Sequence, residues 1–365
     1  MCVKLANGNQ LRRITLTDTT QPGDTSADTA RTPRTGKSAP TIYDIAELAG
    51  VNPSTVSRAL SKPGRVSAKT AQKIMDAAET LNYQVNVFAR ALPTGRTQTI
   101  GLIVSDITNP AYFDVIRGAE SAAAARDYTL MLAESKESAE LELTTARRML
   151  ATVDGLILAS PRLSDEEIGS LSEKKPVVVI NRNVAGVPSL IADTEFGVTE
   201  AVRHLADMGH TEISYVAGPE RSWMSQRRWE TIKARCDWHG LSASVVASSE
   251  PTVDGGRHTA AAVRAGTATA VFCYNDLMAI GLMRELQAAG VEIPSELSIL
   301  GFDNIFGSDF TTPPLSTIKS PLTELGAAAL EHVLAAVDQL ATTPPLPALP
   351  TQLVLRGSTG RVNAS

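Results

Sequence analysis

The sequence predicts an α/β chain with two parts. A small head carries a helix-turn-helix, and a larger body holds doubly wound parallel sheets split into two halves by a cleft. Three observations carry this reading. Residues 41–82 show helical periodicity interrupted by a short turn. From Ile100 onward, short runs rich in Val, Ile and Leu alternate with stretches of helical period. Aromatic residues make up only 4% of the chain, so alanine and valine dominate the packing, which suits helices laid on parallel strands.

Residues 1–40 are rich in Thr, Ser, Asp, Gly and Pro without apolar periodicity and read as a flexible tail. In TIYDIAELAG, Ile42, Ile45, Ala46 and Ala49 share one helical face, Thr41 stands as N-cap ahead of Asp44, and Gly50 ends the helix. Asn52 caps a second short helix, with Pro53 at its first position, where a fixed φ and a missing N–H cost nothing. That helix, STVSRAL, stops before Lys62-Pro63-Gly64. Ser67 caps a third, with Ile74, Ala77, Ala78 and Leu81 facing inward. These elements define a head over 41–84.

The stretch 85–99 follows, with Val85, Phe88 and Leu92 on one apolar stripe ahead of Pro93 and Gly95. One or two helical turns without a core are marginal alone. The stretch is either a plain linker or a helix that forms on DNA or against a second copy of itself. Within 100–365, TIGLIVSD, YTLMLAES, VDGLILAS, PVVVINR, ISYVAG, ATAVFCYND and LSILGFDN are the expected strands. Seven are many for one doubly wound sheet, hence the expectation of two sheets.

The net charge is −5, yet its distribution is uneven. Residues 1–98 hold 13 Lys/Arg and 7 Asp/Glu, leaving 21 basic and 32 acidic residues and a balance of −11 for the rest. A basic end on an acidic body fits a chain in which one domain meets phosphate. No run approaches the ~18 apolar residues of a membrane span, and the N-terminus lacks the apolar core of a secretory signal. A cytoplasmic protein without membrane partners is therefore expected. Cys2, Cys236 and Cys273 are too scattered for a disulfide framework or a CxxC metal pair. His204 and His210 in HLADMGH read as structural, so no metal and no cofactor is expected. An enzyme is disfavoured, because GxSxG, GxxxxGK[ST], HExxH and GxGxxG are all missing. A free sugar-binding protein would carry a secretory signal and no basic helical head.

The second helix is the candidate for the DNA major groove. Ser54, Thr55, Ser57 and Arg58 are its exposed polar positions, flanked by Lys62 and Arg65. Arg58 can hold guanine O6 and N7 in a bidentate contact, a pairing good for ~1–3 kcal/mol of discrimination.

The segment from TIYDIAELAGVNPSTVSRAL through LPTGRTQTIGLIVSD resembles the N-terminal signature of the LacI/GalR family of bacterial repressors. The likeness continues through NPAYFDVIRGAE, VDGLILAS, VVVINR, HLADMGH, NDLMAIGLMREL, LSILGFDN, PPLSTI and LVLRGSTG, covering about residues 41–360. The resemblance implies a transcriptional regulator, expected to repress, that binds a pseudo-palindromic double-stranded operator as a homodimer under the control of a small effector. It implies a DNA-contacting set of Thr41, Ile42, Asn52, Pro53, Ser54, Thr55, Ser57, Arg58, Arg65 and Ser67 in the head. In the hinge helix it implies Asn86, Ala89, Arg90 and Leu92, the leucine wedging into the minor groove.

For the body it implies a periplasmic-binding-protein-like core crossed three times by the chain. One subdomain would comprise about 100–191 and 322–350, the other about 192–321 and 351–360. The implied effector set is Asp106, Asn109, Phe113, Asn181 and Arg182 from the first, and Arg228, Asn275 and Asp303 from the second. Carboxylates, amides and an arginine beside aromatic faces suit a sugar, polyol or nucleoside, since each hydroxyl both donates and accepts. The match around SQRRWETI departs from the family pattern at Thr231 and Ile232, which leaves Arg227 as a rival to Arg228. No heptad segment follows LVLRGSTG, so a dimer and not a zipper-joined tetramer is expected.

Overall fold

The structure, a computed structural model, describes residues 40–61, 64–83, 95–248, 250–340 and 349–362. The chain divides into two compact units, Met1–Gln84 and Val85–Ser365. In the first, α1 (Ile42–Ala49), α2 (Pro53–Ser61) and α3 (Ala68–Thr80) form a three-helix head. Gly50 closes α1 at φ 65°, a left-handed turn that a side chain would strain. Ile45, Ala46, Val56, Ile74 and Ala77 are buried at the centre, with Ile42, Ala49, Ala78 and Leu81 packed around them. The expected helical faces are those observed.

The second unit contains two sheets. The first is built from β1 (Thr99–Val104), β2 (Thr129–Glu134), β3 (Gly155–Ala159), β4 (Val177–Ile180) and β5 (Ser189–Leu190), in the order β2-β1-β3-β4-β5. Helices α4 (Ala111–Ala124), α5 (Ala139–Met149) and α6 (Asp165–Ser172) connect its first four strands. The chain then enters the other half with α7 (Thr194–Asp207), β6 (Glu212–Val216), α8 (Trp223–His239) and β7 (Ser242–Val246). It continues through α9 (Val253–His258), α10 (Ala260–Ala265), β8 (Ala270–Cys273), α11 (Asp276–Ala288), β9 (Ser298–Asp303) and β10 (Ser316–Lys319). It returns to the first half as α12 (Leu322–Val337) and ends in the second with β11 (Gln352–Val354).

The second sheet runs β11-β10-β9-β8-β6-β7, parallel throughout except for β11. Set β11 aside and both halves share one strand order, with the reversal falling between their first and third strands. Loops leaving the C-terminal ends of strands that flank such a reversal form the natural crevice.

The seven apolar runs all become strands. Four further strands carry no such run. β5 has two residues and β11 three, too few for any pattern. β7 is a sheet edge with mixed exposure, and β10 is Ser-Thr-Ile-Lys with Ser316 and Thr317 buried. Those hydroxyls are tolerated because each finds a partner: Ser316 accepts from Arg356 N at 2.9 Å and Thr317 donates to Asp276 at 2.6 Å.

Two of the passages between halves are bonded to each other. Asp193 N donates to Leu349 O at 2.8 Å, and Thr351 N and its hydroxyl both donate to Asp193 O at 3.0 and 2.7 Å. His210 contacts Thr269 Oγ1 at 2.8 Å and Gly360 O at 3.1 Å, and His204 contacts Thr359 Oγ1 at 3.2 Å. Both histidines thus tether the terminal segment.

Helices α4 and α12 approach so closely that side chains are excluded at the crossing. A Cβ on Gly118 would lie 2.0 Å from Thr323 O, and one on Gly326 2.0 Å from Val115 O. By contrast, Gly169 lies inside α6 with open space around it. Gly326→Ala is therefore expected to destabilise the core by about 1–3 kcal/mol through forced separation of the helices. Gly169→Ala should stabilise it by about 0.5–1 kcal/mol. Urea unfolding of both variants checks the opposite signs.

Candidate functional site: the reading helix and the cleft

In the head, Asp44 accepts from the backbone N–H of Thr41 at 2.6 Å and from its hydroxyl at 2.7 Å, which fixes the start of α1. These bonds hold the Asp44 carboxyl below its ordinary range. Thr55 N and Val56 N both bond to Asn52 O, so α2 begins where Pro53 can occupy its first turn. Asn52, Ser54, Ser57 and Arg58 are exposed, Thr55 and Pro53 half-buried, and Val56 between them faces the core. Arg65 and Ser67 are exposed beyond the turn, and the Ser67 hydroxyl accepts from Thr70 N at 3.3 Å as cap of α3. Thr41 is exposed and Ile42 half-buried. Asn86, Ala89, Arg90 and Leu92 lie outside the described residues.

In the body, strand-end loops of both halves line a small cavity of about 30 Å³. From the first half come Asn109 after β1, Ser160 after β3 and Asn181 after β4, with Tyr112 on α4. From the second come Arg228 on α8, Tyr274 and Asn275 after β8, and Asp303 at the end of β9. Arg228 is its electrostatic centre. Its guanidinium donates to Asp303 Oδ1 at 2.7 Å and to the carbonyl of Tyr274. It lies 4.3 Å from the centroid of the Phe302 ring and 5.1 Å from that of Tyr274. A buried cation survives there because a carboxylate and two π faces replace its water. The Nε–H of Arg228 is buried with no acceptor.

Five of the eight expected effector residues share this cavity: Asn109, Asn181, Arg228, Asn275 and Asp303. Arg228 is buried and lines the cavity, whereas Arg227 on the same helix is exposed. Three do not line it. Asp106 spends its carboxylate on a local turn, accepting from Thr108 N at 2.8 Å and Thr108 Oγ1 at 2.6 Å. Phe113 is about half exposed and lies outside the lining. Arg182 turns back to Asp165 at 2.7 Å and to Leu163 O at 2.5 Å. Asn275 lines the cavity but its amide is already engaged, accepting from Met278 N at 2.9 Å and donating to Pro251 O at 2.8 Å.

Tyr112, Ser160, Met224 and Tyr274 line the cavity without having been singled out. Tyr112 and Tyr274 pair their hydroxyls with Ser105 at 2.6 Å and Ser222 at 3.1 Å. A lone aromatic at a strand end or in an apolar helix looks like core in sequence, and only the fold turns it to the cleft. Among the described residues no cluster of His, Cys, Asp and Glu could hold a metal, and no helix is long and apolar enough to cross a membrane.

A helix-turn-helix head on a two-part core with a cleft defines a DNA-binding regulator. Comparison with known proteins agrees. Residues 41–86 match the model of bacterial regulatory proteins of the lacI family, and 202–359 match a periplasmic binding protein-like domain. The transcriptional repressor PurR of Vibrio vulnificus is 32% identical over 337 residues, covering 88% of this chain and 99% of its own. GalR of Escherichia coli is 32% identical over 310 residues, covering 82% and 89%. The Lac repressor dimer bound to operator and the anti-inducer ONPF superimposes with a TM-score of 0.79 at 27% identity, covering 88% of this chain and all of that one. A lacI-family regulator from Enterococcus faecium with bound ribose gives 0.64 at 30% identity over 73% of this chain and all of its own. The chain belongs to the lacI family. It is a transcriptional regulator and not an enzyme.

Arg228→Met leaves Asp303 buried without its cation and should cost about 3–5 kcal/mol of stability, most of it recovered in R228M/D303N. Denaturant unfolding of the three proteins checks this. Asp276, next to the cleft and fully buried, accepts from Thr317 Oγ1, Ser308 Oγ and Ile305 N, yet burial pushes its carboxyl up to about 7. A carboxyl with a raised folded pKa contributes stability below its unfolded pKa of about 3.9 and loses it as pH rises through about 7. Relative to Asp276→Asn, the wild type should thus lose stability between about pH 4 and pH 7 and level off above that. His204, His210 and His332, whose pKa values burial lowers, act oppositely but are shared by both proteins. Melting temperatures of the pair across that range read the difference.

Proposed function

We propose that this chain is a cytoplasmic repressor that binds a pseudo-palindromic operator as a homodimer and releases or tightens its grip when a neutral polyhydroxylated molecule enters the cleft. Sugars, cyclic polyols and nucleosides share the required chemistry. The observation that carries this reading is the buried Arg228–Asp303 pair set between two aromatic rings in a cavity lined by both halves. A carboxylate and a guanidinium offer acceptor and donor side by side, the pattern a diol answers with each hydroxyl. Their charges cancel, which favours a neutral ligand over a phosphate. Aromatic faces cover the apolar face of a ring. Ribose in a family member and a ligand in the operator-bound Lac repressor lend support.

A ligand spanning both halves favours one relative orientation of them, and it alters DNA binding only if it binds the two orientations unequally. In the head, Arg58 and the hydroxyls of Ser54, Thr55 and Ser57 are the residues we assign to the major groove. Hinge contacts through Asn86, Ala89, Arg90 and Leu92 complete the proposed interface. The experiment is selection of genomic fragments by the purified protein, followed by sequencing. A shared palindrome is the expected product. Arg58→Ala should weaken binding to it by about 1–3 kcal/mol, or roughly 5- to 150-fold, while leaving the core's melting temperature unchanged. Retention of full, sequence-specific affinity by that variant would reject the assignment.

A further inference from the structure

We propose that Arg356, on the segment that follows β11, is a positioning residue that holds Asp303 in the conformation the effector meets. This rests on the cleft reading above. Asp303 ends β9 at φ 97°, and Asn304 follows at φ 55°. Two successive left-handed residues with side chains are strained and persist only where the surroundings impose them. The strain lies at the residue whose carboxylate must face Arg228.

The bracing is specific. Arg356 Nη2 donates to Asn304 Oδ1 at 2.6 Å, and Arg356 Nη1 donates to Leu315 O at 2.6 Å. Its backbone N–H donates to the buried hydroxyl of Ser316 at 2.9 Å, which fixes Arg356 against β10. Asn304 N donates to Thr317 Oγ1 at 3.4 Å on the same strand. Thus the turn after β9 is held from the neighbouring strand and from a segment 52 residues further along. Among the described residues no carboxylate pairs with Arg356. Its two terminal nitrogens serve neutral oxygens at fixed angles, a task for a planar guanidinium that a lysine cannot reproduce. On the other side, Asp303 Oδ1 accepts from Arg228 at 2.7 Å and from Ser320 Oγ at 3.2 Å. Those contacts pull the carboxylate into the cleft only while the backbone beneath it stays in the strained form.

The test is a mutant cycle between Arg356 and Asp303 on the full-length protein, read without any ligand. In the wild-type background, Asp303→Asn removes the partner of buried Arg228 and should lower the melting temperature by about 5 °C or more. With Arg356→Met already present, the turn relaxes and the pair is already lost. The same substitution should then lower it by less than half as much. Arg356→Lys should behave as Arg356→Met. Equal drops in both backgrounds, or full wild-type behaviour of Arg356→Lys, would overturn the proposal, since a merely structural arginine adds independently. Calorimetry with ribose, galactose, myo-inositol and adenosine on the wild type then tests the cleft reading separately. Coupling in the cycle with no binding from such compounds would count against the effector class and not against the role of Arg356.

Discussion

A cation buried between two aromatic rings organises the cleft of this molecule. Arg228 cannot be taken from water unless something replaces its hydration, and the fold brings that replacement from two separate strand ends. Phe302 and Asp303 come from β9, the Tyr274 ring and carbonyl from β8, and α8 delivers the arginine itself. Each is a distant neighbour in sequence. The strand order that places β6, β8 and β9 side by side is therefore what makes the charge tolerable.

From this constraint the remaining architecture can be understood as two copies of one solution. Each half winds its first strands about a reversal, and each presents its loops at the C-terminal edge. The first half contributes amides and a serine, with Asn181 and Ser160 both left-handed at φ 62° and 55°. The second contributes the ion pair. A ligand that needs both must draw the halves to a common spacing, and the bonded passages around Asp193 and Thr351 limit the ways they can respond.

Much of this was legible in the amino-acid order. Apolar runs marked seven strands, and cap residues such as Thr41 and Ser67 marked the head. Arg228, Asn109, Asn181, Asn275 and Asp303 were reachable by motif. What escaped did so for physical reasons. Asp106 and Arg182 carry suitable groups but spend them on nearby partners, Thr108 and Asp165, and no motif records where a side chain turns. Asn275 lines the cleft while its amide caps α11 and bonds to Pro251 O, a double duty no motif records. Tyr112 and Tyr274 look like core residues until the halves face each other. The β10 strand hides because its buried hydroxyls are paid for by partners far away in sequence, among them Arg356 and Asp276.

The central claim is that occupancy of this cleft governs the hold on DNA. The most direct test is fluorescence anisotropy of the selected operator with wild type and R228M/D303N, each titrated with neutral sugars, polyols and nucleosides. The account predicts that one such compound shifts wild-type operator affinity at least tenfold and leaves the double variant's affinity unmoved. An equal shift in both proteins would contradict it, because the controlling site would then lie elsewhere.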